Sequence, residues 1–211
     1  MNAIRVELLQ PAWIPAVSQI HMCSLPNDFL PGLGMTFLQD VFYPAVLKSP
    51  HARAFVALEE GQPVGFVVTT RNSTAFFRTV IKSQLWGFFK TGLHSSLTSL
   101  SSLRNNLQVL LSVFKKEPKQ DFGEIYEIAI QADRQGRGIG RQLVAESIVY
   151  LRSAGAAGIK IKTLVSNQAW IAFFQKNGWE LTQKTTLMGR QYAILALKFS
   201  DDLPDLILPG A

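Results

Sequence analysis

Glu124-Ile-Tyr-Glu-Ile-Ala-Ile130, followed by Gln131-Ala-Asp-Arg-Gln-Gly-Arg-Gly-Ile-Gly-Arg-Gln-Leu143, decides how this 211-residue chain is read. The first half is β-branched and aromatic without a breaker, which predicts a strand. Glycines then alternate with other residues at 136, 138 and 140, and Leu143, Val144, Ile148 and Leu151 recur at helical spacing. A strand, a glycine turn and a helix aim several backbone N–H groups and a helix N-terminus at one point, which favours an anion. Arg134, Arg137 and Arg141 add positive charge around it. One glycine would suffice for a tight turn; three beside arginines exceed what a turn needs. A phosphate-bearing ligand is expected here.

On either side the chain alternates strands and helices. Upstream, Ile4 to Leu9 reads as a strand, and Trp13, Ile14, Val17 and Ile20 give the helix after Pro11 an apolar face. Ser24 to Gly34, with two prolines and two glycines, reads as an ordered loop. Phe37, Val41, Phe42 and Val46 mark a second helix, ending before Ser49-Pro50. Ala52–Leu58 and Val64–Thr70 form a hairpin around Gly61. Downstream, Ile159–Val165 reads as a half-buried strand, Asn167 as the cap of a helix over Gln168–Lys176, and Asn177-Gly178 as its end. Trp179–Thr185 and Gln191–Phe199 are two further strands. The expectation is one α/β domain over residues 1–211, with a helical insertion at about 72–120.

Composition narrows the partners. The chain is 47% apolar and 17% charged, hence globular, and its net charge of +6 favours an anionic ligand. Cys23 is the only cysteine, which excludes an intrachain disulfide and fits a reducing, cytoplasmic setting; core packing is its expected role. No secretion signal or membrane-spanning run is apparent, and no metal site is expected. Between Gly61 and Lys116 there is no acidic residue, whereas Phe, Trp and Leu alternate with lysines and arginines. That segment reads as extra core, as a wall over a binding site, or as an interfacial helix touching an anionic membrane. Nucleic acid is not expected, since no reading motif accompanies the charge. Homodimerisation is left open.

Spacing separates three phosphate-binding templates. A Walker A loop needs Lys-Ser or Lys-Thr after its last glycine, and Arg141-Gln142 follows Gly140. The dinucleotide pattern Gly-x-Gly-x-x-Gly fails in both frames, ending on Arg141 or Leu143. Gln135-Gly-Arg-Gly138-Ile-Gly140 instead fits Gln/Arg-x-x-Gly-x-Gly/Ala, and so resembles the coenzyme A pyrophosphate loop of the GNAT acyltransferases. The family's downstream spacing of Asn, then Tyr, then Gly-Phe is matched by Asn167, Phe174 and Gly178-Trp179, with Phe in place of the tyrosine.

The resemblance implies a GNAT fold, a mixed and mostly antiparallel sheet flanked by helices, with the insertion between the third and fourth strands. It implies acetyl-CoA as cosubstrate. The backbone of Ile128, Ala129 and Ile130 would run beside the pantetheine arm. Gln135, Gly136, Arg137, Gly138, Ile139, Gly140 and Arg141 would hold the pyrophosphate, with Asn167 and Phe174 further along. It implies direct attack by a primary amine, from a small molecule such as an amino sugar or from a protein N-terminus, with no covalent role for Cys23. Glu124 is the first candidate base and Glu127 the second; simple alternation puts them on opposite faces of the sheet. Their ordinary alternative is pairing with Lys160 or Lys162 on a neighbouring strand. With the tyrosine absent, water or the Tyr126 hydroxyl would replace it. The alternative function is a non-catalytic acyl-CoA-binding or membrane-surface protein.

Overall fold

The computed structural model describes residues 3–26, 28–81, 121–187 and 189–199. Strand β1 (Ile4–Leu8) leads through a single helical turn at Pro11–Trp13 into α1 (Ile14–Ser24). After a short turn at Phe29–Gly32 comes α2, built from Met35–Phe37, a π-helical turn at Leu38–Phe42 and Tyr43–Lys48. Pro44 has no N–H to return to the fourth carbonyl before it, and the ladder widens just there. Strands β2 (Ala52–Glu59) and β3 (Gln62–Thr70) form the expected hairpin. Asn72 then caps α3 (73–81), its Oδ1 accepting the Ala75 N–H at 2.9 Å. The rest of the sequence-predicted helical insertion, residues 82–120, lies outside the described residues.

Strand β4 (Phe122–Ile130), α4 (Ile139–Ser153), β5 (Gly158–Leu164), α5 (Gln168–Lys176), β6 (Glu180–Leu187) and β7 (Arg190–Lys198) follow. The sheet runs β1-β2-β3-β4-β5-β7-β6. Every neighbouring pair is antiparallel except β4 and β5, which are parallel and joined by α4 as the crossover. Two apolar clusters cover its faces. On one, α1, α2 and α3 bury Val17, Phe42, Phe76 and Val80 against Val56, Phe66 and Val68. On the other, α4 buries Leu143, Val144, Ile148 and Leu151, all four at the helical spacing read from sequence, against Val67, Ile125 and Ile159.

Two departures from regular pairing shape the molecule. Opposite β3, Val68 faces Glu127 while Thr69 faces Ile125, so Tyr126 is the extra residue of a β-bulge. Beside β5, β4 pairs only from Phe122↔Gly158 to Ile125↔Ile161; beyond that point β5 pairs with β7 alone, and the two parallel strands part. Cys23 is exposed on the last turn of α1, where its sulfur accepts from Gln19 Nε2 at 3.2 Å. This corrects the expectation that it packs in the core: the buried face of α1 is carried by Val17, Ile20 and His21, and Cys23 falls off that stripe.

Candidate functional site

Where β4 and β5 part, two adjoining cavities open. One, of about 650 Å³, is lined by Ile128, Ala129 and Ile130 of β4 and by Gln135, Gly136, Gly138, Ile139, Gly140 and Arg141 of the glycine turn. The other, of about 340 Å³, lies between Ile125, Tyr126, Glu127 and Ile128 on β4 and Ile161, Lys162, Thr163 and Leu164 on β5. Ser24, Leu25, Ile128, Asn167 and Trp170 line both, so the two are continuous around those side chains.

The alternating glycines have separate physical reasons. Gly136 and Gly138 take φ of 75° and 78°, the left-handed region that side chains resist, with Gly138 as the N-cap of α4. Gly140 sits where a Cβ would approach Ile130 Cδ1 at 3.1 Å and the Trp170 ring at 3.2 Å. The helix N-terminus is thereby drawn close to β4 and α5, and its first residues line the larger cavity. The arginines divide. Arg134 and Arg141 line that cavity, whereas the Arg137 side chain turns to Glu59 on β2, with Nη1 to Oε2 at 3.3 Å. Glu59 also pairs with Arg134 Nε at 2.8 Å and is held below the usual carboxylate range, chiefly by its bond from Arg137. The positive charge read from sequence is thus partly balanced, and the Arg137 side chain does not line the cavity.

The bulge decides which carboxylate meets the smaller cavity. Tyr126 packs on Phe42 and Phe76, and Glu127 approaches His21 of α1, so these consecutive residues share one face. Glu124 lies on that face too: it accepts a hydrogen bond from Ser73 Oγ at the start of α3 and has Lys160 Nζ at 3.9 Å. The expectation that Glu124 and Glu127 face opposite sides is therefore corrected, because alternation fails across the extra residue. Glu127 lines the smaller cavity, and Glu124 lines neither of the two. Burial, together with the charge of Asp28, pushes the Glu127 carboxyl up to about 8, against the pull of Lys162. Burial likewise raises the Asp28 carboxyl and the Tyr126 hydroxyl, the latter among aromatic rings.

Asn167 stands at the N-cap of α5 but makes no side-chain capping bond, a correction to its predicted role; with ψ at 65° its backbone is outside the extended geometry of a cap, and the residue lines both cavities. Phe174 is fully buried, stacked on Trp170 at 5.4 Å and against Trp179 at 4.6 Å, and it lines the smaller cavity. Its apolar setting suits a ring without a hydroxyl. Sequence reading missed Asp28, Tyr192 and Trp170, all on the smaller cavity. Tyr192 sits on β7 beneath Lys162, whose Nζ is 5.8 Å from the ring centre. Its one sequence signal is the alternation of Gln191–Leu195, which marks Tyr192 and Ile194 as one face. Among the described residues no group of three His, Cys, Asp or Glu is placed to hold a metal, and no helix is long and apolar enough to cross a membrane.

Comparison with known proteins bears on this arrangement. The model of the Acetyltransferase (GNAT) family matches residues 14–179. A mycothiol acetyltransferase of Rhodococcus jostii (strain RHA1) is 34% identical over 70 residues, 31% of this chain and 23% of that protein. The chain matches about a quarter of the length of such curated relatives. Among solved structures, SsHAT superposes with a TM-score of 0.68 at 18% identity, over 93% of this chain and 98% of that one. The Salmonella typhimurium protein yncA, solved with its cofactor acetyl-CoA, gives 0.60 at 14% identity, over 95% and 96%. These likenesses bear on the fold.

Proposed function

Since the chain belongs to the GNAT acetyltransferase family, we propose that it transfers an acetyl group from acetyl-CoA to a primary amine by direct attack. One observation carries this reading: the parting of β4 from β5 joins a glycine-turn cavity to one that holds a raised carboxyl. The residues fit the cosubstrate. A Cβ at Gly140 would crowd Ile130 and Trp170, and its absence leaves a backbone cradle at a helix N-terminus, suited to a pyrophosphate. Acetyl-CoA supplies the acetyl thioester. The N–H groups from Gly136 to Arg141 would hold the pyrophosphate, and the edge of β4 at Ile128–Ile130, unpaired by β5, would receive the pantetheine arm. An N–H near Ala129 would be the donor to the thioester carbonyl and would stabilise charge developing there.

Glu127 is the base in this reading. An alkyl ammonium with pKa about 10.4 must lose a proton before it attacks, and a carboxyl near 8 is a better acceptor than one near 4.3. Ser73 and Lys160 engage Glu124, which is placed to steady the strand rather than to meet the acceptor. Phe174 cannot donate a proton, and the Tyr192 hydroxyl, on the same cavity, is the side chain that would serve near the sulfur. The acceptor enters beside Leu25, Pro26 and Asp28; an amino sugar, another small amine or a protein N-terminus all suit a site with two carboxyl groups for one amine.

Acetyl-CoA with a panel of amines, followed by free thiol release and by calorimetric binding, tests the reading. Glu127→Gln is expected to lower kcat/KM by about 100-fold or more while acetyl-CoA affinity stays within twofold. Full activity in that variant would overturn Glu127 as base. Saturable acetyl-CoA binding with no turnover of any amine by the wild type would favour the non-catalytic, acyl-CoA-binding alternative.

A further inference from the structure

His21 is the buried polar group that the mechanism above does not use. It sits on the inner face of α1 with no solvent exposure, walled by the rings of Phe42, Tyr43 and Phe66 at 5.2–6.1 Å. Its Nδ1 is 3.0 Å from the Tyr43 hydroxyl, itself fully buried. Its Nε2 is buried with no hydrogen-bond partner, and points at Glu127 Oε2 from 3.8 Å. An orphaned nitrogen in such surroundings is costly unless something answers it, and the carboxylate is what it faces.

Counting protons decides how this row is wired. Burial pushes the imidazole down to about 3, so His21 is neutral and carries one N–H. Burial and the charge of Glu127 push the Tyr43 hydroxyl up, so it keeps its proton. If the imidazole proton were on Nδ1, the Tyr43 proton would lose its acceptor, and once Glu127 ionises Nε2 would turn a lone pair on its carboxylate. If Tyr43 donates to Nδ1, the proton is on Nε2 and both ends are answered.

We propose that His21 is a positioning residue for Glu127: the Tyr43 hydroxyl sets its tautomer, and its Nε2–H is aimed at the Glu127 carboxylate and closes on it as the base works. The step from 3.8 Å to a hydrogen bond is about 0.8 Å, within reach of a side-chain rotation. A neutral donor stabilises the carboxylate without the cost of a second buried charge. The other groups facing Glu127 are Asp28 after α1, Glu124 and Tyr126 on its own strand, Lys162 on β5, Tyr43 on α2 and Tyr192 on β7. Among them Asp28 and Glu124 oppose the charged form and Lys162 favours it. The proposal rests on Glu127 as the base, and its test separates the two.

The carboxyl of Glu127 is titrated by infrared difference spectroscopy against Glu127→Gln, in the protein without ligands, and kcat/KM is measured over the same pH range. His21→Leu is expected to raise the Glu127 titration by about one pH unit, because the carboxylate loses a donor, and to move the acid limb of kcat/KM upward equally. His21→Gln, which keeps an N–H near the Nε2 position, restores at least half of that shift. Tyr43→Phe keeps the ring and the packing and shifts the titration in the same direction as His21→Leu, so it carries the test should His21→Leu fail to fold. A fall in the plateau with titration and limb unmoved would mean that His21 only fills space, and would overturn the proposal. Failure of Glu127→Gln to affect turnover removes the base assignment; an unmoved titration removes His21. The two results are read on different instruments.

Discussion

As the proposed base, Glu127 would couple pH to both activity and stability. Its carboxyl is raised to about 8, so the acid limb of kcat/KM is expected near that value, well above an ordinary carboxylate. The sign for stability follows from proton counts. Between roughly pH 4.5 and 8 the folded chain holds a proton that the unfolded chain releases, so stability falls as pH rises through this window. The full shift corresponds to roughly 5 kcal/mol as an upper bound, and residual solvent contact reduces it to a few. Glu127→Gln, which needs no charge, should therefore melt several degrees above the wild type at pH 9 and within a degree or so of it at pH 4.5, by scanning calorimetry. Equal melting temperatures at pH 9 would place the carboxylate in water. Tyr192→Phe is expected to lower kcat by about tenfold at most, since a thiol of pKa about 8.5 departs without much help; an unchanged kcat would leave that proton to water.

Among the elements, α5 was legible to its last residue. Gly178 takes φ 81°, its N–H donates to Gln175 O, and the Trp179 N–H reaches back to Phe174 O, with the two rings 4.6 Å apart. This is the helix-ending Schellman arrangement, and it explains why Gly-Trp stands where it does: the glycine turns left-handed and the aromatic residue closes over the last turn. Gly178→Ala should cost about 1 kcal/mol in urea unfolding with an unchanged m-value. The turn into α4 was legible for a similar reason, since glycines that must turn left-handed announce themselves. Strand β4 was legible as a strand and not as a bulged one. Nothing in Glu124-Ile-Tyr-Glu127 distinguishes a regular alternation from one with Tyr126 doubled, because either places an apolar residue toward α4. The facing of both glutamates, and hence the choice between them, turned on that.

At the scale of the whole molecule, the parting of β4 from β5 leaves the edge of β4 beyond Ile125 without a strand partner on the β5 side. Saturating acetyl-CoA should slow hydrogen exchange in a peptide spanning residues 126–130 and leave one spanning 158–161, already paired on both sides, unchanged. Unaltered exchange at 126–130 would mean that the ligand does not line that edge. The sequence by itself determined the strand–glycine turn–helix unit, the helix ends, the order of strands and helices around the hairpin, and through them the family. These are local properties: backbone sign at glycine, apolar period, capping and turn chemistry act over a few residues and can be read in a row. Only the tertiary structure decided that Glu127 faces the cavity while Glu124 is engaged by Ser73 and Lys160, that Glu59 takes up Arg137, and that His21 stands behind Glu127 with Tyr43 at its back. Those partners come from α1, α2, α3, β2 and β5, far apart in the chain, and what raises or satisfies a buried charge is the set of groups that folding brings within a few ångströms of it.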